Sequence, residues 1–182
     1  MNTPPILILT AAFGDGHNAA ARGLAGGILQ RGGRAVVADP FAESRPRVND
    51  FFRRLYLTLI NRYPGFWNLF YVTCHHLPLI EKTVFVHQPA YLRIQDLLRE
   101  HRPKVVVLTF PVYAHLISRL PRGLRQSFQL VTVVTDSISV HRLWSTAEAD
   151  LWVVPNPPTA NALSSLGVPK EKIRAIGFPV DS

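Results

Sequence analysis

The sequence holds a single cysteine and a single methionine. Cys74 has no partner for an internal disulfide, so burial and hydrogen bonding must stabilise the fold, and a reducing compartment is expected. Apolar runs stop well short of the ~18 residues needed to cross a bilayer. Met1 to Pro5 carry no basic side chain ahead of the first short apolar stretch, so neither a signal nor a transit peptide is expected. Acidic residues are few, 12 against 20 Lys and Arg, and the resulting net charge of +8 favours anionic partners. RNA- and DNA-binding motifs are missing, so nucleic acid is not among the expected partners. There is no Gly-x-Ser-x-Gly elbow and no P-loop lysine. No histidine has Cys or carboxylate neighbours at metal-ligand spacing, so no metal site is expected.

What is present is the composition of one globular domain: 182 residues, 47% apolar and 18% charged. Short apolar runs alternate with helix-like stretches, the pattern of βαβ units around a parallel sheet with helices on both faces. Strands are predicted at Ile6–Ala11, Ala35–Asp39, Val105–Thr109, Leu130–Thr135, Leu151–Val154 and Arg174–Ile176. A first helix from about His17 to Arg31 should stop at Gly32-Gly33. Asn156-Pro157 reads as the cap and first turn of another helix, which should end at Gly167.

Between Phe41 and His101 the alternation breaks. This stretch reads as an insertion with helices near Asn49–Asn61, Gly65–His75 and Gln88–Glu100. Phe51, Phe52, Tyr56, Tyr63, Phe66, Trp67, Phe70 and Tyr71 crowd its first half, mixed with Arg53, Arg54 and Arg62. Arginine beside aromatics on amphipathic helices makes an interfacial membrane contact, for which Arg53, Arg54, Arg62, Phe66 and Trp67 are the candidates. The same spacing also suits a buried aromatic face with solvated arginines.

Chemistry-bearing residues gather where strands end. After the first strand comes Thr10-Ala11-Ala12-Phe13-Gly14-Asp15-Gly16-His17-Asn18, a glycine-bearing turn that leads into a helix. Such a turn offers bare backbone, unpaired N–H groups and a positive dipole end, and His17 adds a proton acceptor near neutral pH. A histidine there can also serve simply as a helix cap. Gly14-x-Gly16-x-x-Ala19 with Asp39 further on fits the dinucleotide fingerprint formally, so an NAD-type domain is an alternative. His17 at the expected pyrophosphate entrance and the long insertion after Asp39 count against it. A second group, Thr135-Asp136 followed by His141 and Trp144, lies at the same sheet edge, although Asp136 as a local cap and Trp144 as core filler fit too. Thr109-Phe110-Pro111 and His115 complete the rim.

Taken together, Leu9 to Ala20, Asp39-Pro40-Phe41, Arg102 to Pro111, Val134-Thr135-Asp136 with His141 and Trp144, and Ile176-Gly177-Phe178-Pro179-Val180-Asp181 resemble the monogalactosyldiacylglycerol synthase and processive diacylglycerol glucosyltransferase family. The resemblance covers essentially the whole chain. It implies a Rossmann-like domain forming the N-terminal, acceptor-side half of a GT-B glycosyltransferase. The implied reaction is inverting, metal-free transfer of a hexose from a UDP-sugar to diacylglycerol, without a cofactor.

By that resemblance His17 is the base and Asp136 its orienting or polarising partner. Gly14, Asp15, Gly16, Asn18, Thr109, Phe110, Pro111, His115, His141 and Trp144 bind substrate. The implied partners are diacylglycerol, an anionic membrane surface at the inner face of the cell membrane, and a donor-binding C-terminal domain. Residues 1–182 end where that donor half should begin, so this piece is expected to be inactive alone. A non-catalytic lipid-binding module is the other reading.

Overall fold

The computed structural model describes residues 3–12, 15–62, 84–137 and 140–179, with the side chains of Phe52, Tyr56, Ile60 and residues 84–86 excepted. Six short strands form one all-parallel sheet: β1 (Ile6–Leu9), β2 (Ala35–Ala38), β3 (Val105–Leu108), β4 (Gln129–Val133), β5 (Leu151–Val154) and β6 (Ile173–Ala175). Their order across the sheet is β2-β1-β3-β4-β5-β6. The α/β class and all six predicted strands are therefore present, with ends that move by one or two residues. Because the chain steps outward from β1 to β2 and then returns to β3, the strand order reverses between β1 and β3. That reversal opens a crevice at the carboxyl ends of these two strands.

Side-chain alternation divides the sheet into two faces. Leu7, Leu9, Val106, Leu108, Leu130, Trp152 and Val154 point into the larger core. Ile8, Val107 and Val133 point the other way, towards Ala21, Leu24, Ala25 and Ile28 of helix α1 (Asp15–Gln30), spaced three and four apart as a helical stripe requires. After α1 the N–H groups of Gly32 and Gly33 return to the carbonyls of Leu29 and Ile28, and Gly32 takes φ +74°, a left-handed turn that glycine makes without strain.

Apart from Arg45, the described part of the insertion is helical. α2 (Pro40–Ser44) is a short helix that the periodicity did not show, capped by Asp39. α3 (Pro46–Arg62) begins three residues before the predicted Asn49, since Pro46 suits a first turn that needs no N–H. α4 (Val84–His101) starts upstream of the predicted Gln88 and carries Pro89 inside it. Its Ala90, Ile94, Leu97 and Leu98 fill the larger core, so burial offsets the backbone bond that Pro89 cannot make. The predicted Gly65–His75 helix lies outside the described residues. So do Phe13, Gly14, Tyr63, Phe66, Trp67, Phe70 and Tyr71.

Beyond β3 come α5 (Val112–Ile117), α6 (Arg122–Arg125) and, after β5, α7 (Pro157–Ser165). Asn156 caps α7 through the Thr159 N–H, and Gly167 ends it at φ +97°.

Candidate active site at the strand-order reversal

Register brings the strand ends level. Leu9 pairs with Ala38 on one side and Leu108 on the other, and Leu108 pairs with Thr132. The residues that follow these strands, Thr10, Asp39, Thr109 and the Val134–Asp136 segment, therefore emerge along one rim.

Asp39 anchors that rim. One carboxylate oxygen accepts the Ala12 N–H at 2.9 Å, and the other accepts the Ala42 N–H at 3.0 Å and the Tyr113 hydroxyl at 3.2 Å. A single side chain thus caps α2 and holds the backbone at Ala12, beyond the end of β1. Tyr113 is fully buried, and its hydroxyl also accepts the Phe41 N–H. Burial, and then the Asp39 charge, push its ionisation well above the usual phenol range, so it remains a donor. With its oxygens engaged in this way, Asp39 is poorly placed to take a ribose hydroxyl, which weighs against the dinucleotide alternative.

His17 stands in the first turn of α1, two residues inside the helix rather than at its start. Its Nδ1 lies 2.6 Å from the carbonyl oxygen of Thr109 and 2.8 Å from the hydroxyl oxygen of Thr135. A carbonyl only accepts, so Nδ1 carries the proton of the neutral ring and Nε2 keeps its lone pair. Phe110 meets the ring edge-on at 5.2 Å, and the Trp144 indole lies tilted at 6.3 Å. Burial lowers the His17 pKa from its ordinary 6.5; the Thr109 bond and the Asp136 charge act in the opposite direction. The ring is therefore neutral at pH 7, as a proton acceptor must be.

The Asp136 carboxylate accepts the His141 N–H at 3.1 Å and the Trp144 indole N–H at 2.9 Å through the same oxygen. His141 accepts the Leu143 N–H on its Nδ1 and so caps the 3-10 turn Arg142–Trp144. Trp144 is 2% exposed and belongs to the larger core, and its carbonyl accepts the Trp152 indole N–H. Asp136, His141 and Trp144 thus form one bonded unit beside His17, with Trp144 serving both core and crevice.

The remaining candidates divide. Thr109 is buried and presents its carbonyl, and Phe110 bridges the rings of His17 and Phe41. Asn18 accepts the Thr10 hydroxyl at 2.9 Å. Asp15 and Gly16 are exposed in the first turn of α1. Pro111 is buried at the start of α5. His115 pairs through Nε2 with the Thr146 hydroxyl at 3.0 Å. Gly14, Phe66 and Trp67 lie outside the described residues. Arg53, Arg54 and Arg62 are exposed on α3, as are Val48, Phe51 and Leu55 on the same helix.

Thr135, Tyr113 and Asp39 as an anchor escaped sequence reasoning. A threonine closing a buried strand reads as a β-branched filler, and no local pattern ties it to a histidine far away in the chain. Among the described residues, no three His, Cys, Asp or Glu side chains are grouped to hold a metal ion, and no helix is long and apolar enough to cross a membrane.

Residues 17–180 match the family model described as monogalactosyldiacylglycerol (MGDG) synthase. The chain belongs to the MGDG synthase family. Among curated relatives it is 30% identical to the processive diacylglycerol beta-glucosyltransferase of Bacillus mycoides (strain KBAB4), over the whole chain and 46% of that relative. Identity and coverage are the same for the enzymes of that name in Bacillus cereus (strain 03BB102) and Bacillus thuringiensis (strain Al Hakam). The chain thus spans just under half the length of these relatives. Within the MGDG synthase family the parallel sheet is consistent with one half of a GT-B fold, and the His17 crevice lies at its strand-order reversal.

Proposed function

We propose that residues 1–182 form the acceptor-side domain of an inverting glycosyltransferase that moves a hexose from a UDP-sugar to the hydroxyl of diacylglycerol. The observation that carries this reading is the half-buried, neutral His17 at the strand-order reversal, held by Nδ1 and with no partner for Nε2 among the described residues. In the reaction the acceptor oxygen bonds to the anomeric carbon as the bond from that carbon to the diphosphate breaks. Nε2 takes the acceptor proton, and UDP leaves with the electron pair. The exposed N–H groups at the start of α1 favour the negative charge that develops on the leaving group. No metal or other cofactor is required for this chemistry.

The family and the names of the relatives support diacylglycerol as acceptor. A membrane contact follows from the acceptor, which resides in a bilayer. Val48, Phe51 and Leu55 stand exposed on α3, with Arg54 beside them and Arg53 and Arg62 on the same helix. Apolar side chains beside arginine suit the surface of an anionic leaflet, here the cytoplasmic face of the cell membrane. The nucleotide-sugar site is assigned to a C-terminal donor domain, so the 182-residue chain by itself should not transfer sugar.

The test uses a polypeptide carrying both halves, diacylglycerol in mixed micelles, and labelled UDP-glucose or UDP-galactose. Transfer by the parent and a loss of about 10²–10⁴-fold in His17→Ala are expected. Full turnover by that variant would remove His17 from the chemistry. No transfer by the parent, with vesicle binding retained, would favour the non-catalytic lipid-binding module.

A further inference from the structure

Three neighbouring strands meet at one imidazole. His17 follows β1, the carbonyl of Thr109 closes β3, and Thr135 lies two residues beyond β4. We propose that Thr135 is a positioning residue for His17, its hydroxyl oxygen and the Thr109 carbonyl together setting the ring so that Nε2 faces the acceptor. This rests on His17 being the base.

The geometry restricts what Thr135 can do. A hydroxyl both donates and accepts, so on its own it is able to select either tautomer of the ring. The Thr109 carbonyl, 2.6 Å from Nδ1, accepts only and removes that choice. Thr135, 2.8 Å from the same nitrogen, is left to share the Nδ1 proton as a second acceptor. With one acceptor the imidazole swings about its N–H···O axis; with two, on different strands, the ring plane is determined. A base held in a single orientation needs no reorganisation when the acceptor hydroxyl arrives.

Asp136, the next residue, is the carboxylate that a histidine base would ordinarily be expected to use. Its bonded oxygen serves the His141 N–H and the Trp144 indole, and its effect on His17 is that of a nearby charge. The direct contact is made by the threonine. The backbone at Ala12 is held independently by Asp39, so backbone and ring are each bonded by groups from other strands.

The test reads the ring directly. In ¹⁵N-histidine NMR of the 182-residue chain at pH 7.5 or so, His17 should show a protonated Nδ1 and a bare Nε2. Thr135→Val, nearly the same shape, should leave Nδ1 protonated but broaden the His17 signal by exchange as the ring plane loosens, and Thr135→Ser should restore the parent signal. In the two-domain polypeptide Thr135→Val should lower kcat about tenfold, with KM for diacylglycerol unchanged and recovery in Thr135→Ser. An Nε2-protonated parent, an unchanged His17 signal in Thr135→Val, or no rescue by serine would overturn the proposal. Failure of the base reading is separable: His17→Ala would then retain turnover while the NMR still reported the Thr135 contact. If the valine variant misfolds, a serine variant with the parent His17 signal and rate still supports the hydroxyl's role, and one that differs in either refutes it.

Discussion

The crevice around His17 and the surface of α3 draw on similar side chains, aromatic and polar groups beside aliphatic ones, yet they are held in opposite ways. His17 is bonded from two strand ends and packed by Phe110 and Trp144, and the backbone at Ala12 upstream is held by Asp39. On α3 the arginines stand in solvent, and Phe51 is 62% exposed. The proton transfer proposed for His17 needs one geometry, and convergent hydrogen bonds from separate strands supply it. The bilayer contact proposed for α3 needs area and charge, which an amphipathic helix can offer. The difference separates a place where position matters from one where composition does.

The strongest way to sharpen that contrast is to damage each region and read both outputs. His17→Ala should cost the transfer reaction its 10²–10⁴-fold or so while leaving vesicle binding intact; a parallel loss of both would merge the two regions. Removing the anchor comes next. Asp39→Ala strips the α2 cap and leaves the Ala12 N–H and Tyr113 hydroxyl without their acceptor, so urea unfolding should show a loss of about 3 kcal/mol. A loss below about 1 kcal/mol would mean that the turn is held by other contacts.

On the helix surface, Arg53→Ala with Arg54→Ala should weaken binding to anionic vesicles by about thirtyfold and leave the His17 NMR signal unchanged. Unaltered co-sedimentation would return α3 to an ordinary solvated face. The smallest effect expected is on pH. Burial lowers the pKa of His17, and burial together with the Arg119 charge lowers that of His87. Below the ordinary value of 6.5 the unfolded chain binds protons that the fold refuses, so stability falls as pH drops from about 7 towards 5 and is fully present above that window. His17→Gln should flatten part of that slope, whereas the α3 arginine variant should not. An unchanged slope in His17→Gln would show that the histidine is solvated.

Legibility followed locality. Asn156-Pro157 announced α7 and Gly32-Gly33 ended α1, because caps and stops are settled within a few residues. Pro46 was a start signal that the helical period obscured, and α2 is too short to leave any period at all. In the crevice, His17 was legible from its glycine turn and Asp136 from its strand end. Thr135 was not, since nothing in a Val-Val-Thr-Asp run distinguishes a hydroxyl aimed at a ring from one aimed at solvent. Trp144 suited either core or crevice by residue type, and its place against both needed the packed structure.

By itself the sequence determined the parallel α/β class, helices α3 and α4 in outline, and the family, because apolar strand runs, cap residues and motif order are written along the chain. Only the tertiary structure decided what holds His17. The Thr109 carbonyl and the Thr135 hydroxyl lie 92 and 118 residues from it, and sheet register alone brings them to one nitrogen. A hydrogen bond requires placement within a few tenths of an ångström, and no sequence spacing sets that across separate strands.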